Sequence, residues 1–164
     1  MIDIRLYREQ DWTSVWHIIE PVFRAGETYP YPIDISEQEA YQAWIEKPAG
    51  TFVALDENED ILGTYYIKHN QPGLGAHVCN CGYIVASKAR GRGIASAMCV
   101  HSQAEALARG FRAMQYNLVV TTNESAIHLW KKHGFDVIGC LPQAFQHTKL
   151  GFVDALVMYK LLSP

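Results

Sequence analysis

The chain of 164 residues is predicted to form one α/β (α+β) domain spanning residues 1–164. In several short segments apolar residues alternate with polar ones, which is typical of half-buried strands. Other segments carry apolar residues at helical spacing and begin or end at capping residues. No repeat, low-complexity tract or flexible linker divides the chain. Together these observations predict strands and helices interleaved around a single core.

The first half of the chain is predicted to contain a strand, two helices and three further strands. Asp11 is expected to cap the first helix, and Pro21 is expected to kink or interrupt it because proline lacks a backbone donor. Ser36 and Glu39 have the spacing of a capping box, which opens the second helix. The predicted strands of this half are residues 2–7, 51–55, 61–68 and 77–85.

The second half is predicted to contain two helices and three strands. One helix runs from Gly93 to Gly110, and another begins at Asn123 as its cap and ends at Gly134. The apolar face expected for the first of these comprises Ile94, Ala97, Met98, His101, Ala104 and Ala108. The predicted strands are residues 114–120, 135–141 and 152–162, with a polar loop over residues 143–150. The predicted element order is therefore β-α-α-β-β-β-α-β-α-β-β.

Charge and composition exclude several classes of protein. The net charge of −3 argues against a general nucleic-acid binder, which normally carries a basic surplus. No apolar run approaches the roughly 18 residues of a membrane span, and the first residues lack an apolar signal core, so we expect a cytoplasmic protein without membrane contact. The four cysteines, at positions 79, 81, 99 and 140, lack the spacing of a zinc site. We expect free thiols and no bound metal.

The most informative stretch is residues 83–96, a β-rich run followed by a basic glycine turn and a helix. Gly91 and Gly93 allow the backbone to approach an anion closely, and the free N–H groups at the helix start point toward it. Arg90 and Arg92 add fixed positive charge. The spacing fits neither a dinucleotide fingerprint nor a Walker loop, because the required third glycine and the Gly-Lys-Ser/Thr triplet are missing. We therefore predict a diphosphate-binding turn.

This turn resembles the signature of the GCN5-related N-acetyltransferase (GNAT) family. Arg90-x-x-Gly93-x-Ala95 fits the family pattern Arg/Gln-x-x-Gly-x-Gly/Ala. The resemblance implies the GNAT fold, a central mixed, mostly antiparallel sheet of about seven strands splayed between strands 4 and 5 and flanked by about four helices. It also implies acetyl-CoA as co-substrate. The cofactor-binding residues implied are Tyr83, Ile84, Val85, Arg90, Gly91, Arg92, Gly93, Ile94, Ala95 and Asn123.

A second family signature follows in the next helix. Asn123-x-x-Ala126-x-x-x-Trp130-x-x-x-Gly134-Phe135 resembles the family pattern of Asn, Ala, Tyr and Gly-Phe, with Trp130 in place of the tyrosine that often protonates the CoA thiolate. No Asp or Glu occurs between residues 60 and 105, so the carboxylate base that many members place before the turn is also missing. The remaining candidate acids and bases are Glu27, His77, Tyr83 and an ordered water.

Two asparagines in predicted strands form the next set of candidates. Asparagine is depleted in strands, yet Asn80 and Asn117 lie within the two strands expected to splay apart. Their surroundings look like those in azetidine-2-carboxylate and phosphinothricin-type small-molecule N-acetyltransferases, which implies that both asparagines are catalytic and bind the substrate. From the residues alone, a hydrogen-bonded pair on a wet sheet face is the alternative.

The loop 26–32 contains Glu27, Tyr29 and Tyr31, which are predicted to bind the substrate if this stiff aromatic loop forms the wall of a pocket. A packed connector is the equal alternative. The predicted activity is N-acetylation of a small-molecule amine, such as an amino acid or toxic amino-acid analogue, by direct transfer in a ternary complex. A protein N-terminal or lysine acetyltransferase and a catalytically impaired CoA-binding sensor are the alternatives. Family habit suggests a homodimer.

Overall fold

A mixed seven-stranded sheet forms the centre of the protein in the computed structural model, which describes residues 1–162. The strand order is β1-β2-β3-β4-β5-β7-β6. The strands are β1 (Asp3–Leu6), β2 (Gly50–Leu55), β3 (Ile61–His69), β4 (Val78–Val85), β5 (Ala113–Val120), β6 (Asp136–His147) and β7 (Gly151–Leu161). The helices are α1 (Trp12–Ala25), α2 (Glu37–Tyr41), α3 (Ile94–Ala108) and α4 (Glu124–Lys132). None of the helices formed by residues 1–162 combines the length and apolarity that a membrane crossing requires.

The sheet opens between its two central strands, as the family resemblance predicted. β4 and β5 run parallel and pair at Val78 with Ala113 and at Cys79 with Met114. β4 and β5 do not pair beyond these two positions, whereas the other edge of β5 pairs with β7 from Ala113 to Val120, with a bulge between Tyr116 and Val119. A regular strand would bury every second side chain. Because of the bulge, Val119 and its neighbour Val120 are both buried, so the alternation fails here. The result is a gap along β4 from Asn80 onward.

Successive residues of β3 and β4 face opposite layers of helices, because side chains alternate along a strand. On one face Thr64 accepts a hydrogen bond from the indole of Trp44, in the helical segment that follows α2, at 3.1 Å. On the other face Tyr65 bonds to His101 of α3 at 2.7 Å. His101 is therefore a half-buried, hydrogen-bonded histidine, as expected. The buried side of α3 comprises Ile94, Met98, Cys99, Ser102 and Ala106, so the predicted assignment of Ala104 and Ala108 to it was wrong.

Two helix caps differ from the predictions. Asp11 accepts two hydrogen bonds from Arg5, at 2.8 and 3.0 Å, and one from the Arg8 backbone at 2.7 Å. It therefore fixes the turn that precedes α1 and does not cap the helix. Asn123 lies at the start of α4 without a side-chain cap bond. Pro21 lies inside α1, which continues to Ala25 without interruption. The capping box of Ser36 and Glu39 is confirmed.

The last hairpin is longer than the sequence indicated. β6 continues to His147, so the predicted polar loop over residues 143–150 was wrong for most of its length. The strand accommodates these residues through a bulge between Leu141 and Phe145, where Gln143 adopts a positive φ of 51°. Its backbone N–H donates to Asp154 on β7 at 2.9 Å. Polarity alone could not reveal this pairing, because β6 is an edge strand and is exposed to solvent.

Candidate active site

A cavity of about 1060 Å³ follows the gap between β4 and β5. It reaches from the glycine turn, residues 90–95, to the beginning of β4. Loop 26–32 covers it on one side, and α4 lines it on the other. We call the part at the glycine turn the cofactor end and the part around Asn80 the acceptor end. The rise along a strand places Asn80 and Val85 about 17 Å apart, so the cavity is long enough to separate two binding functions.

At the cofactor end the backbone is shaped for close approach by a ligand. Gly91 and Gly93 both have φ near 77°, and no atom lies within 4 Å of the position where a Cβ would be on either residue. α3 starts immediately afterwards, at Ile94, so its free N–H groups point toward this open space. Of the predicted cofactor-binding residues, those that line the cavity are Tyr83, Ile84, Val85, Arg90, Gly91, Gly93, Ile94, Ala95 and Asn123. Arg92 is exposed and does not line it.

The backbone of β4 presents free groups to the gap at alternate positions. At one end of the strand the Val78 carbonyl accepts a hydrogen bond from the Asn70 N–H, next to β3, at 2.9 Å. At the other end the Ala86 N–H donates to the Leu62 carbonyl of β3 at 2.8 Å. Since antiparallel partners alternate between bonded and non-bonded pairs, the backbone of Ile84 also faces β3. The backbones of Tyr83 and Val85 face the gap, so these two residues have the backbone N–H groups available to a ligand there.

Loop 26–32 both packs on the core and forms the wall of the cavity. Glu27, Tyr29 and Tyr31 all line it. The two tyrosine rings stack with centroids 6.1 Å apart and rest against Phe23. The Tyr29 hydroxyl donates to the Tyr83 carbonyl across the gap at 2.9 Å. The loop is therefore fixed over the strand that the cavity follows.

Asn80 and Asn117 line the same cavity from opposite sides of the gap. Asn80 is a buried residue that lines the cavity. Among residues 1–162 no enclosed side-chain nitrogen or oxygen lacks a hydrogen-bond partner, so the Asn80 amide, which forms no side-chain hydrogen bond there, is open to the cavity. Asn117 is exposed and belongs to a short amide chain, accepting from Gln115 at 3.0 Å and donating to Asn70 at 2.7 Å. The structure thus brings the two predicted residues to one end of one cavity. Their roles stay predictions.

Comparison with known proteins supplies the family. The family model described as Acetyltransferase (GNAT) family matches residues 12–135. The chain belongs to the GNAT family. This GNAT chain is 27% identical over 166 residues to the N-acetyltransferase aca1 of Schizosaccharomyces pombe, covering 92% of this chain and 79% of that protein.

Solved GNAT structures have the same fold over nearly the whole chain. The GCN5-related N-acetyltransferase from Kribbella flavida superposes with a TM-score of 0.92 at 37% identity, covering 98% of this chain and 97% of that one. The phosphinothricin acetyltransferase of Sinorhizobium meliloti, solved in complex with AcCoA, has a TM-score of 0.86 at 22% identity, covering 99% and 89%. The protein is an acetyl-CoA-dependent N-acetyltransferase, and acetyl-CoA is its co-substrate.

The side chain of Tyr83 faces away from the acceptor end of this GNAT site. Ser102 donates to the Cys99 carbonyl at 2.8 Å, so its oxygen accepts from the Tyr83 hydroxyl at 2.6 Å. Tyr83 in turn accepts from the Tyr116 hydroxyl at 2.9 Å. Every proton in this chain is already committed, and burial raises the pKa of both tyrosines well above its ordinary value. The geometry therefore favours a structural role for the Tyr83 hydroxyl over an acid or base role.

Two other candidate bases lie apart from the acceptor end. His77 is exposed before β4 and does not line the cavity. Glu27 lies on the rim and pairs with Lys149 of the last hairpin at 2.8 Å. The hydrogen bond from Lys149 lowers the pKa of Glu27, which makes the carboxylate a weaker base.

Trp130, at the family's tyrosine position, packs against Tyr83 and Tyr116 at centroid distances of 4.9 and 5.1 Å. An ordered water is the candidate left by this geometry.

Sequence reasoning missed Lys68 and Tyr66, which line the acceptor end beside Asn80. The sequence pattern indicates only that both residues lie in the predicted strand 61–68. The signal that could have found them is the β3–β4 register, because Lys68 lies opposite Asn80 and Tyr66 opposite Gly82. Within residues 1–162, Cys79, Cys81 and Cys99 are buried free thiols, and Cys140 is an exposed one. No group of side chains suited to holding a metal ion occurs in that range.

Proposed function

We propose that this GNAT enzyme transfers the acetyl group of acetyl-CoA to the amine of a small molecule, an amino acid or a toxic amino-acid analogue, by direct transfer in a ternary complex. The observation that carries the proposal is the continuous cavity that joins the glycine turn to the polar groups around Asn80. Such an arrangement can hold two ligands end to end. No covalent enzyme intermediate or metal is part of the proposal.

The cofactor end fits the diphosphate of acetyl-CoA. The open space above Gly91 and Gly93 admits phosphate oxygens to the backbone, and the start of α3 provides further N–H donors. Arg90 and Lys132 line the same cavity and add positive charge. A cofactor held there would extend its arm along the gap, where the backbone N–H groups of Tyr83 and Val85 are available for hydrogen bonds.

Within the transfer step, we assign the Tyr83 N–H to the thioester carbonyl oxygen. A fixed donor at such an oxygen typically lowers the barrier by about 3 kcal/mol. Asn80 and Asn117 would orient the acceptor, because each amide can both donate and accept. The attacking amine must lose a proton. Glu27 is the only carboxylate among the described residues that line the cavity, and it lies at the rim, paired with Lys149. We therefore assign the proton to an ordered water.

A protein acceptor is the second candidate. The ribosomal-protein-alanine N-acetyltransferase of Brucella melitensis has the same fold, with a TM-score of 0.85 at 25% identity. The aromatic loop over the cavity favours a small acceptor, because the hydrogen bond from Tyr29 to the Tyr83 carbonyl bridges the space that an extended peptide would enter.

The test is to follow release of free thiol from acetyl-CoA with a panel of amino acids, simple amines and peptides that have free N-termini. We expect thiol release with one or more amino acids and background rates with the peptides. Acetylation confined to the peptides would establish the second candidate. Binding of acetyl-CoA without thiol release from any acceptor would indicate a CoA-binding sensor, an interpretation motivated by Trp130.

We also propose a cytoplasmic homodimer. β6 lies at the edge of the sheet and exposes Val137, Ile138 and Leu141, an apolar strip that a second copy could cover. The buried thiols Cys79 and Cys81 are compatible with a reducing compartment. Sedimentation equilibrium tests the dimer, with twice the chain mass expected and a monomer at all concentrations contradicting it.

A further inference from the structure

Lys68 is a half-buried cation at the acceptor end of the cavity. The β3–β4 register places it directly opposite Asn80, and residues opposite each other in an antiparallel pair project from the same face of the sheet. Lys68, Asn80 and Tyr66 therefore share the cavity face. Lys68 is well separated from the cofactor end, because the length of β4 lies between Asn80 and the glycine turn.

The packing of Tyr66 holds the Lys68 ammonium in place. Gly82 lies opposite Tyr66, and a Cβ on Gly82 would lie 2.6 Å from the Tyr66 ring, so the ring lies directly over this glycine. The Lys68 Nζ lies 5.2 Å from the centroid of the same ring, within cation–π range. The N–H donors of the ammonium that point away from the ring are available to another partner.

The cation has no counterion within the part of the chain that the structure describes. The ion pairs among residues 1–162 do not involve Lys68. Glu27 is the only carboxylate among the described residues that line the cavity, and it is already paired with Lys149. Burial lowers the pKa of Lys68, which means that its charged form lacks full solvation. An anionic ligand would compensate that loss.

The neighbouring amide suits the same ligand. A carboxylate has two oxygens, and one can accept from Lys68 while the other accepts from the Asn80 amide, which lines the cavity opposite Lys68. The tyrosines of loop 26–32 and Tyr66 give the rest of this end an aromatic lining. The acceptor end therefore has the features that would bind a compact molecule with one carboxylate and an apolar body.

We propose that Lys68 binds a carboxylate on the acceptor, so that the enzyme selects amines carrying a carboxylate close to the nitrogen. This inference rests on the proposed small-molecule acetylation. It makes Lys68 a specificity-determining residue with no part in proton transfer.

The experiment compares matched acceptors in wild-type and variant enzymes. The acceptors are azetidine-2-carboxylate, L-proline and L-alanine, each with its carboxamide, which keeps the amine and removes the charge. Wild type is expected to show kcat/KM about ten- to a hundredfold higher for the acids than for the amides, since hydrogen bonds to charged groups are strong. Lys68→Met should remove this difference by raising KM for the acids alone. Lys68→Arg, which keeps the charge, should retain most of it.

Lys47→Met is the matched control. Lys47 is an exposed lysine close enough for its charge to act on Lys68, but it does not line the cavity. It should leave the preference for acids intact. Equal rates for acids and amides in wild type, or an equal fall for both in Lys68→Met, would overturn the inference while the acetyltransferase proposal stands.

If no acceptor is acetylated, the proposed function fails, and calorimetric titration of the same acids and amides into the enzyme with CoA still tests Lys68. Binding of an acid that Lys68→Met weakens, without matching weakening for the amide, supports the inference. Absence of any charge-dependent binding overturns it.

Discussion

The two ends of the cavity are built differently. The cofactor end presents backbone, because Gly91 and Gly93 adopt positive φ and leave open space before α3. The acceptor end presents side chains, with Asn80 and Lys68 opposite each other on neighbouring strands. Backbone donors suit a co-substrate that a whole family shares, whereas side chains can change from one member to the next. The comparison predicts that substitutions at each end affect one ligand and not the other.

The largest effect is expected from Gly93→Val. A β-branched residue at a φ of 77° is strained by about 1–3 kcal/mol, and its side chain would fill the open space that a diphosphate requires. The dissociation constant for acetyl-CoA should rise about tenfold to a hundredfold, as measured by calorimetry. Gly73→Val is the matched control, since Gly73 has a φ of 56° and equally open surroundings outside the cavity. Equal losses of affinity in both variants would contradict the assignment of the turn.

At the acceptor end, Asn80→Ala should lower kcat about tenfold to a hundredfold while the affinity for acetyl-CoA changes less than about twofold. Asn117→Ala should have the same pattern with a smaller loss, because Asn117 is exposed and already bonded to Asn70. Steady-state kinetics and calorimetry check both. Asn58→Ala, in an exposed turn between β2 and β3, serves as control. Unchanged turnover in both variants would return the asparagines to a purely structural role.

Tyr83→Phe separates structure from chemistry next to the gap. It removes the buried hydrogen bonds that the Tyr83 hydroxyl forms with Ser102 and Tyr116, so the free energy of unfolding should fall by about 1–2 kcal/mol. The backbone N–H remains, and kcat should change by less than about threefold. Tyr65→Phe, which removes the bond to His101 outside the cavity, should have a similar effect on stability. A fall in kcat beyond a hundredfold would instead identify the Tyr83 hydroxyl as an acid or base.

The smallest effect is expected from Glu27→Gln, which removes the ion pair with Lys149 at the rim. KM for the acceptor should rise about twofold with kcat unchanged, because exposed pairs contribute little. The lowered pKa of Glu27 means that the pair is complete above the ordinary carboxyl pKa and is lost only as the pH falls through the lowered value. The contribution of this pair to the acceptor KM should therefore be fully present and should not change with pH between about pH 6 and 8. A collapse of kcat in the variant would make Glu27 the base.

The glycine turn at the start of α3 could be predicted from sequence, because glycines, arginines and a helix start form a local pattern within residues 83–96. The element order also followed from local patterns, and the splay between β4 and β5 was implied by the family resemblance alone. The acceptor end could not be predicted in full, since it depends on how β3 and β4 align. Lys68 became a candidate only when the register placed it opposite Asn80. The continuation of β6 was missed because an exposed edge strand carries no clear apolar alternation.

A crystal structure of the enzyme with CoA and azetidine-2-carboxylate tests the central claim most directly. We predict the diphosphate on the backbone N–H groups of residues 91–95, the CoA arm along the Tyr83 and Val85 backbones, and the acceptor carboxylate within hydrogen-bond distance of Lys68. A diphosphate bound away from the glycine turn, or a CoA arm outside the gap between β4 and β5, would contradict the account.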